Sequence, residues 1–150
     1  MLPKNIYCLL KEDPCLSTLV YLIDYAGLKN EICRFSCTTM FAPNNNAFKK
    51  LPKSLIDYLL SPQGHEDLVS VLLYHLTSGK KYTNELRNCQ MLQMYNQLDT
   101  WVIKKNGQVY IKDGKCNLSR IYSANNETEN GSLVDKVCEV LIPGNPICVK

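Results

Sequence analysis

The sequence predicts a mixed α+β domain, and three observations carry that prediction. Apolar residues recur at helical spacing through roughly the first 90 positions. Roughly the last 50 positions change to short apolar runs separated by turn dipeptides. The whole chain is 150 residues, the size of one ordinary domain. Helices followed by a mostly antiparallel sheet give the α+β class.

The helical half is read element by element. Asn5 to Lys11 forms a short helix. Asp13-Pro14 opens the next, because Asp caps free amides and Pro at the first position loses no needed donor. Leu16, Leu19, Val20, Ile23 and Ala26 follow helical spacing, and Gly27 supplies a left-handed stop. Thr38 to Phe41 is a short strand that Pro43 cannot extend. Asn44 or Asn45 caps a helix carrying Ala47, Phe48 and Leu51. Pro52 opens a helix through Leu55, Ile56, Leu59 and Leu60, broken at Ser61-Pro62-Gln63-Gly64. Glu66 to Tyr74 forms the last, with Leu68, Val71 and Leu72 on one face.

The extended half follows Gly79. Leu92 to Tyr95 is a strand candidate. Trp101–Lys105 and Gln108–Lys112 flank Asn106-Gly107. A two-residue Asn-Gly link tolerates positive φ and matches strand twist, so this is the strongest hairpin signal in the chain. Asp113-Gly114 makes a second turn into Cys116–Ser123. Ala124 to Gly131 is polar and reads as a loop, and Val134 to Ile142 as a closing strand ended by Pro143-Gly144.

Composition narrows the function classes. Hydrophobic residues make up 45% and charged residues 21%, which fits a packed domain and excludes a disordered chain. The net charge of +3 falls short of the basic stripe of a dedicated nucleic-acid binder, so no nucleic-acid partner is expected. No run approaches the length of a membrane-spanning helix, so no insertion of this segment is expected. Lys4, Lys11, Glu12 and Asp13 interrupt any apolar leader core. The expectation is a fragment or domain of a longer secreted chain with Met1 added. Gly-rich phosphate loops, GxSxG, HExxH and EF-hand runs are absent, His65 sits in a polar helix start, and neither an enzyme nor a cofactor is expected.

Eight cysteines are the unusual number: Cys8, Cys15, Cys33, Cys37, Cys89, Cys116, Cys138 and Cys148. The even count suits disulfides and an oxidising compartment. Zinc and reduced buried thiols are the competing readings, although there is no CxxC pair. Cys8 or Cys15 with Cys33 or Cys37, and Cys138 with Cys148, are candidate pairs left unranked. Sequons at Asn117, Asn126 and Asn130 are candidate glycan acceptors and support secretion weakly.

One stretch is specific. Thr39-Met40-Phe41-Ala42-Pro43-Asn44-Asn45-Asn46-Ala47-Phe48 is physically a strand, a Pro break and a capped helix anchored by Phe41 and Phe48. It closely resembles the first signature of the fasciclin domain, an extracellular adhesion module. Leu51-Pro52 follows in the family's usual place, and Leu72-Leu73-Tyr74-His75 resembles its Tyr-His motif. Gly79, Leu86, Leu92 and Tyr95 are similar to the following connection, and Tyr74 to Tyr95 looks most like the periostin type of the family. The resemblance runs from about Asn5 to Pro143. The family's second signature carries a His that Asn130-Gly131-Ser132-Leu133-Val134-Asp135-Lys136-Val137 lacks. Asp135 or Cys138 takes the place of that signature's Asp, depending on the alignment.

The resemblance implies a single domain over 1–150 with a core at about 5–143, a wedge-like twisted sheet or sandwich with a packed helical half. It implies non-catalytic extracellular adhesion. The implied partner is an integrin-type receptor or a matrix protein, bound through Tyr74 and His75 with Leu72, Leu73 and Leu76. Core packing is the competing role for Tyr74 and His75 among these leucines. Lys49, Lys50, Lys53, Lys80 and Lys81 are a candidate site for sulfated glycans, against the simpler reading of a solvated face. A spacer or assembly domain without its own ligand, and an intracellular thiol or metal protein, are the alternative functions.

Overall fold

The computed structural model of the chain describes residues 2–143. Its first part holds six short helices: α1 (Ile6–Lys11), α2 (Ser17–Ala26), α3 (Lys29–Arg34), α4 (Asn45–Lys49), α5 (Lys53–Leu59) and α6 (His65–Leu73). Local chemistry sets their ends. The Asn5 side chain accepts from Cys8 N at 2.9 Å, and Asn44 accepts from Ala47 N at 2.8 Å. Gly27 stops α2 with φ +77°, and Leu28 N returns to Ile23 O at 3.0 Å. Asp13-Pro14 starts a single 3₁₀ turn, Pro14–Leu16, that feeds α2.

The strands are β1 (Thr38–Pro43), β2 (Leu76–Ser78), β3 (Met91–Gln93), β4 (Asp99–Lys105), β5 (Gln108–Lys112), β6 (Leu118–Glu127) and β7 (Leu133–Val137). They form one seven-stranded sheet in the order β2-β1-β7-β6-β5-β4-β3. The sheet curls until its ends meet at a Thr77–Met94 bridge, where Tyr95 N also donates to Leu76 O at 2.8 Å. The wedge expected from sequence is therefore one curled sheet closed on itself. Closure leaves little open ladder for another strand to join.

β1 and β7 run parallel, with Thr39 opposite Leu133 and Pro43 opposite Val137. All six residues of β1 are buried, because both of its faces are covered. Met40 and Ala42 join a core with Leu19, Ile23, Leu68 and Leu72 of the helices. Phe41 points the other way, into a second core inside the curl with Tyr74, Val102, Ile111 and Leu141. Full burial of a side chain the size of Phe41 is worth about 3 kcal/mol.

The Asn106-Gly107 hairpin forms as expected, with φ of +53° and +74° at the two positions. Several sequence readings are corrected. Pro43, expected to lie beyond the first strand, is its last residue, in parallel register with Val137 of β7. Ala124–Glu127 extends β6 rather than looping, because β7 supplies partners for it: Asn126 faces Val134 and Glu127 faces Leu133. A bulge with Asn125 at φ +60° absorbs the extra length. The closing strand expected over Val134–Ile142 starts one residue earlier, at Leu133, and ends at Val137. Beyond Val137 the Cys138 amide still reaches Arg120 O of β6 at 3.1 Å, and the amides of Glu139, Leu141 and Ile142 then turn to side-chain acceptors.

Candidate functional site

The Tyr74-His75 pair lies where α6 ends and β2 begins. Leu72 and Leu76 are in the helix-side core and Tyr74 is in the sheet-side core, so the junction crosses between the two. Tyr74 is 0% exposed and His75 is 1% exposed. The Tyr74 hydroxyl donates to Asp99 O at 2.5 Å. Burial, aided by the Asp113 and Asp99 charges, pushes its phenol up to about 12.

His75 is spanned by two hydrogen bonds. Its Nδ1 lies 2.7 Å from Val71 O, and its Nε2 lies 2.9 Å from Leu141 N. A carbonyl only accepts and an amide only donates. The ring is therefore the neutral Nδ1–H tautomer, giving its proton to Val71 and accepting at Nε2. Desolvation holds its pKa down at about 4. The His75 carbonyl also accepts from Phe41 N at 2.8 Å, which ties the junction to β1.

Asp113 completes the arrangement, and the sequence read it only as a turn residue. It is 1% exposed. Its Oδ1 accepts from Lys115 N and Asn117 N, both at 2.9 Å. Its Oδ2 accepts from Ile142 N at 2.9 Å. Glu139 N is held by Ser119 Oγ at 3.0 Å. Residues 139–142 thus return across the domain clamped by Ser119, His75 and Asp113. The Asp-Gly turn signal was legible, but a side chain with three amides to satisfy has no local signature.

Asp135 is buried in β7, with Oδ1 accepting from Asn125 N at 2.7 Å. Its Oδ2 has no hydrogen-bond partner, and burial pushes its pKa up to about 6. Its carboxyl holds the β6 bulge from inside the sheet.

The structure separates the remaining candidates. Of the five residues named for binding, Leu72, Tyr74, His75 and Leu76 are buried, and Leu73 keeps a partly exposed edge. The candidate glycan lysines are partly committed elsewhere: Lys50 pairs with Glu139, and Lys80 Nζ lies 3.0 Å from Glu127 and 5.4 Å from the Tyr82 ring centre. Asn126 Nδ2 donates to Val134 O at 3.0 Å and Asn130 Nδ2 to Phe35 O at 2.9 Å, whereas the Asn117 side chain is exposed. None of the seven cysteines among the described residues is joined to another in this structure, where the sequence analysis expected disulfides, and Cys148 lies outside them. Cys8 lies on α1 and Cys33 on α3, two helices that pack together. Among the described residues no cluster of His, Cys, Asp or Glu is arranged to hold a metal ion, and no helix is long and apolar enough to cross a membrane.

A helical half packs over a curled sheet, tied from within by the hydrogen bonds of Tyr74, His75 and Asp113. The fasciclin domain model matches residues 14–143, and the chain belongs to the fasciclin domain family. It is 29% identical over 127 residues to protein sll1483 of Synechocystis, covering 85% of this chain and 67% of that one. It is 30% identical over 138 residues to the pig transforming growth factor-beta-induced protein ig-h3, covering 89% of this chain but only 19% of that protein. Human periostin is 33% identical over 76 residues, covering 51% of this chain and 9% of periostin. The fold matches a FAS1 domain pair from the insect cell adhesion molecule Fasciclin I, with a TM-score of 0.71, 18% identity and coverage of 93% of this chain and 51% of that one.

Proposed function

We propose that this domain is a non-catalytic extracellular adhesion module, one unit of a longer secreted or cell-surface protein, that binds an integrin-type receptor or a matrix protein. The observation that carries this reading is the family match over residues 14–143, together with likeness to a domain pair from a cell adhesion molecule. Repetition of such modules in one chain multiplies weak contacts into useful avidity.

In this reading Tyr74 and His75 support binding from inside. Tyr74 fixes β4 through Asp99, and His75 fixes the closing segment through Leu141. Leu73, the partly exposed neighbour, is the member of the motif placed to touch a partner. Among the sequons, Asn117 is the glycan site, because a glycan on Asn126 or Asn130 would displace hydrogen bonds the fold uses.

Cell adhesion to surfaces coated with the domain tests the function. Adhesion that needs divalent cations and weakens with Leu73→Ser supports receptor binding. A folded domain that supports no adhesion as a monomer or as a tandem repeat reduces it to a spacer. Thiol titration of unfolded protein prepared without reductant tests the compartment. Eight free thiols would defeat the extracellular assignment.

A further inference from the structure

The outward face of β4, β5 and β6 belongs to neither core. Strand alternation turns Val102, Ile111 and Ile121 inward, and their neighbours outward. Trp101 stands opposite Lys112, which stands opposite Leu118. In the adjacent row Ile103 stands opposite Tyr110, and Tyr110 opposite Arg120. Met91, 58% exposed, continues the first row on β3 opposite Trp101. Rows of flat apolar side chains thus alternate with cations on a surface built by backbone pairing.

The charge on this face is uncompensated. Lys105 Nζ lies 5.2 Å from the Tyr110 ring centre, and Arg120 reaches Gln108 Oε1 at 3.5 Å and Cys138 Sγ at 3.9 Å. Among the described residues none of Lys105, Lys112 and Arg120 meets a carboxylate. Asp99, the carboxylate at the outward positions of β4, sits at the end away from the hairpin. At the hairpin end, Lys104, Lys105, Asn106 and Gln108 line a hollow of about 420 Å³ with Thr83 and Asn84. Lys105 and Gln108 belong to both the face and the hollow.

We propose that this face and the hollow at its hairpin end bind an acidic polysaccharide, a sulfated chain of uronic acid sugars. Lysine and arginine donors suit its sulfates and carboxylates. The Trp101 and Tyr110 rings, on neighbouring strands, offer flat surfaces for the apolar faces of sugar rings. Amide side chains in the hollow match hydroxyl groups. An acidic protein partner would call for an apolar pocket at the centre of the face to seat an anchor residue, and the hollow lies at the hairpin edge, lined by neither Trp101 nor Tyr110. A second copy of this chain would set like charges together. The proposal differs in position from the Tyr74-His75 junction and does not depend on receptor binding there.

Binding of a fluorescent, size-defined heparin oligosaccharide to the whole domain tests this, with folding of each variant checked by circular dichroism. Lys112→Gln with Arg120→Gln should weaken binding about tenfold, at a few-fold per exposed cation. Lys4→Gln with Lys11→Gln, both exposed on the helical half, removes the same charge elsewhere and should change binding less than twofold. Trp101→Ala, and Tyr110→Ser should Trp101→Ala fail to fold, should weaken binding several-fold with the charge intact. Equal loss in the face pair and the control pair would show diffuse charge attraction and overturn the proposal. So would aromatic variants that bind as well as the parent. Tighter binding of polyglutamate or of oligo-dT than of heparin would assign the face to an acidic protein or to single-stranded nucleic acid instead.

Discussion

The Nε2 of His75 accepts the backbone N–H of Leu141 across 2.9 Å, joining the end of α6 to a segment 66 residues later. The other ring nitrogen is engaged by Val71 O at 2.7 Å, so the imidazole bridges a helix and the closing segment. Loss of the ring leaves the buried Leu141 amide without its partner, leaves Val71 O with only the bond from Tyr74 N at 3.1 Å, and opens a void beside them. His75→Ala should cost about 3–4 kcal/mol in urea unfolding. His75→Gln, which keeps an acceptor directed at Leu141, should recover at least half of that. Equal costs for the two would show that packing alone, and not the Leu141 bond, holds the segment.

Two glycines separate steric from conformational requirements. A Cβ on Gly64 would sit 2.0 Å from Tyr58 O, a backbone atom that cannot swing aside. A Cβ on Gly27 would meet nothing within 4 Å, but the residue holds φ +77°. Gly64→Ala should therefore cost upwards of about 3 kcal/mol, or prevent folding, and Gly27→Ala about 1 kcal/mol. Thermal melts of the two variants check the order. A Gly64→Ala protein as stable as the Gly27→Ala protein would mean that the turn before α6 relaxes freely.

The legible parts of this fold are those fixed by neighbours in sequence. Gly27, Asn44 and Asn106-Gly107 each place a cap or turn where the chain puts one, because positive φ and capping amides are local requirements. What escaped the sequence depends on distant strands. Leu76–Ser78 is three residues long and is a strand only because β1 pairs with it. The parallel β1–β7 pair joins Thr39 to Leu133 and has no turn to announce it. α3 is six residues with no side-chain cap, held through Ile32 in the core. Tyr74 and His75 were legible as a motif, and the leucines around them signalled burial. Asp113 was legible as a turn, but its hold on Ile142 depends on a contact 29 residues away.

Lys136 on β7 ties the helical half to the sheet by an ion pair with Asp13, Nζ to Oδ2 2.7 Å, with side chains 19% and 20% exposed. The same carboxylate caps the 3₁₀ turn by accepting from Cys15 N at 2.9 Å. The Lys136 hydrogen bond holds the Asp13 pKa below the usual carboxylate value. Asp13→Ala should cost about 2 kcal/mol, roughly half from the cap and half from the pair, and Lys136→Gln about 1 kcal/mol. The depressed pKa makes the Asp13 contribution present above the unfolded value of 3.8 and lost as pH falls through the folded one. Equal cost for the two substitutions would remove the cap from this account.

His75 and Asp135 tilt the pH dependence of stability in opposite directions. His75 falls from 6.5 unfolded to about 4 folded, so its contribution is full above pH 6.5 and is lost as pH drops toward 4. Asp135 rises from 3.8 to about 6, so its contribution is full below pH 3.8 and is lost as pH climbs through 6. The two shifts are of similar size and opposite sign. Between about pH 4 and 6 the two nearly cancel, and the parent protein should show a shallow profile there. Asp135→Asn should uncover the histidine slope, with stability falling steeply as the solution is acidified from pH 6.5. His75→Gln should uncover the opposite slope, with stability falling from pH 4 to 6. Urea midpoints measured every half unit, and taken as differences from the parent, cancel the titrations the three proteins share. Two variants with profiles parallel to the parent would mean that neither buried group changes its proton affinity on folding.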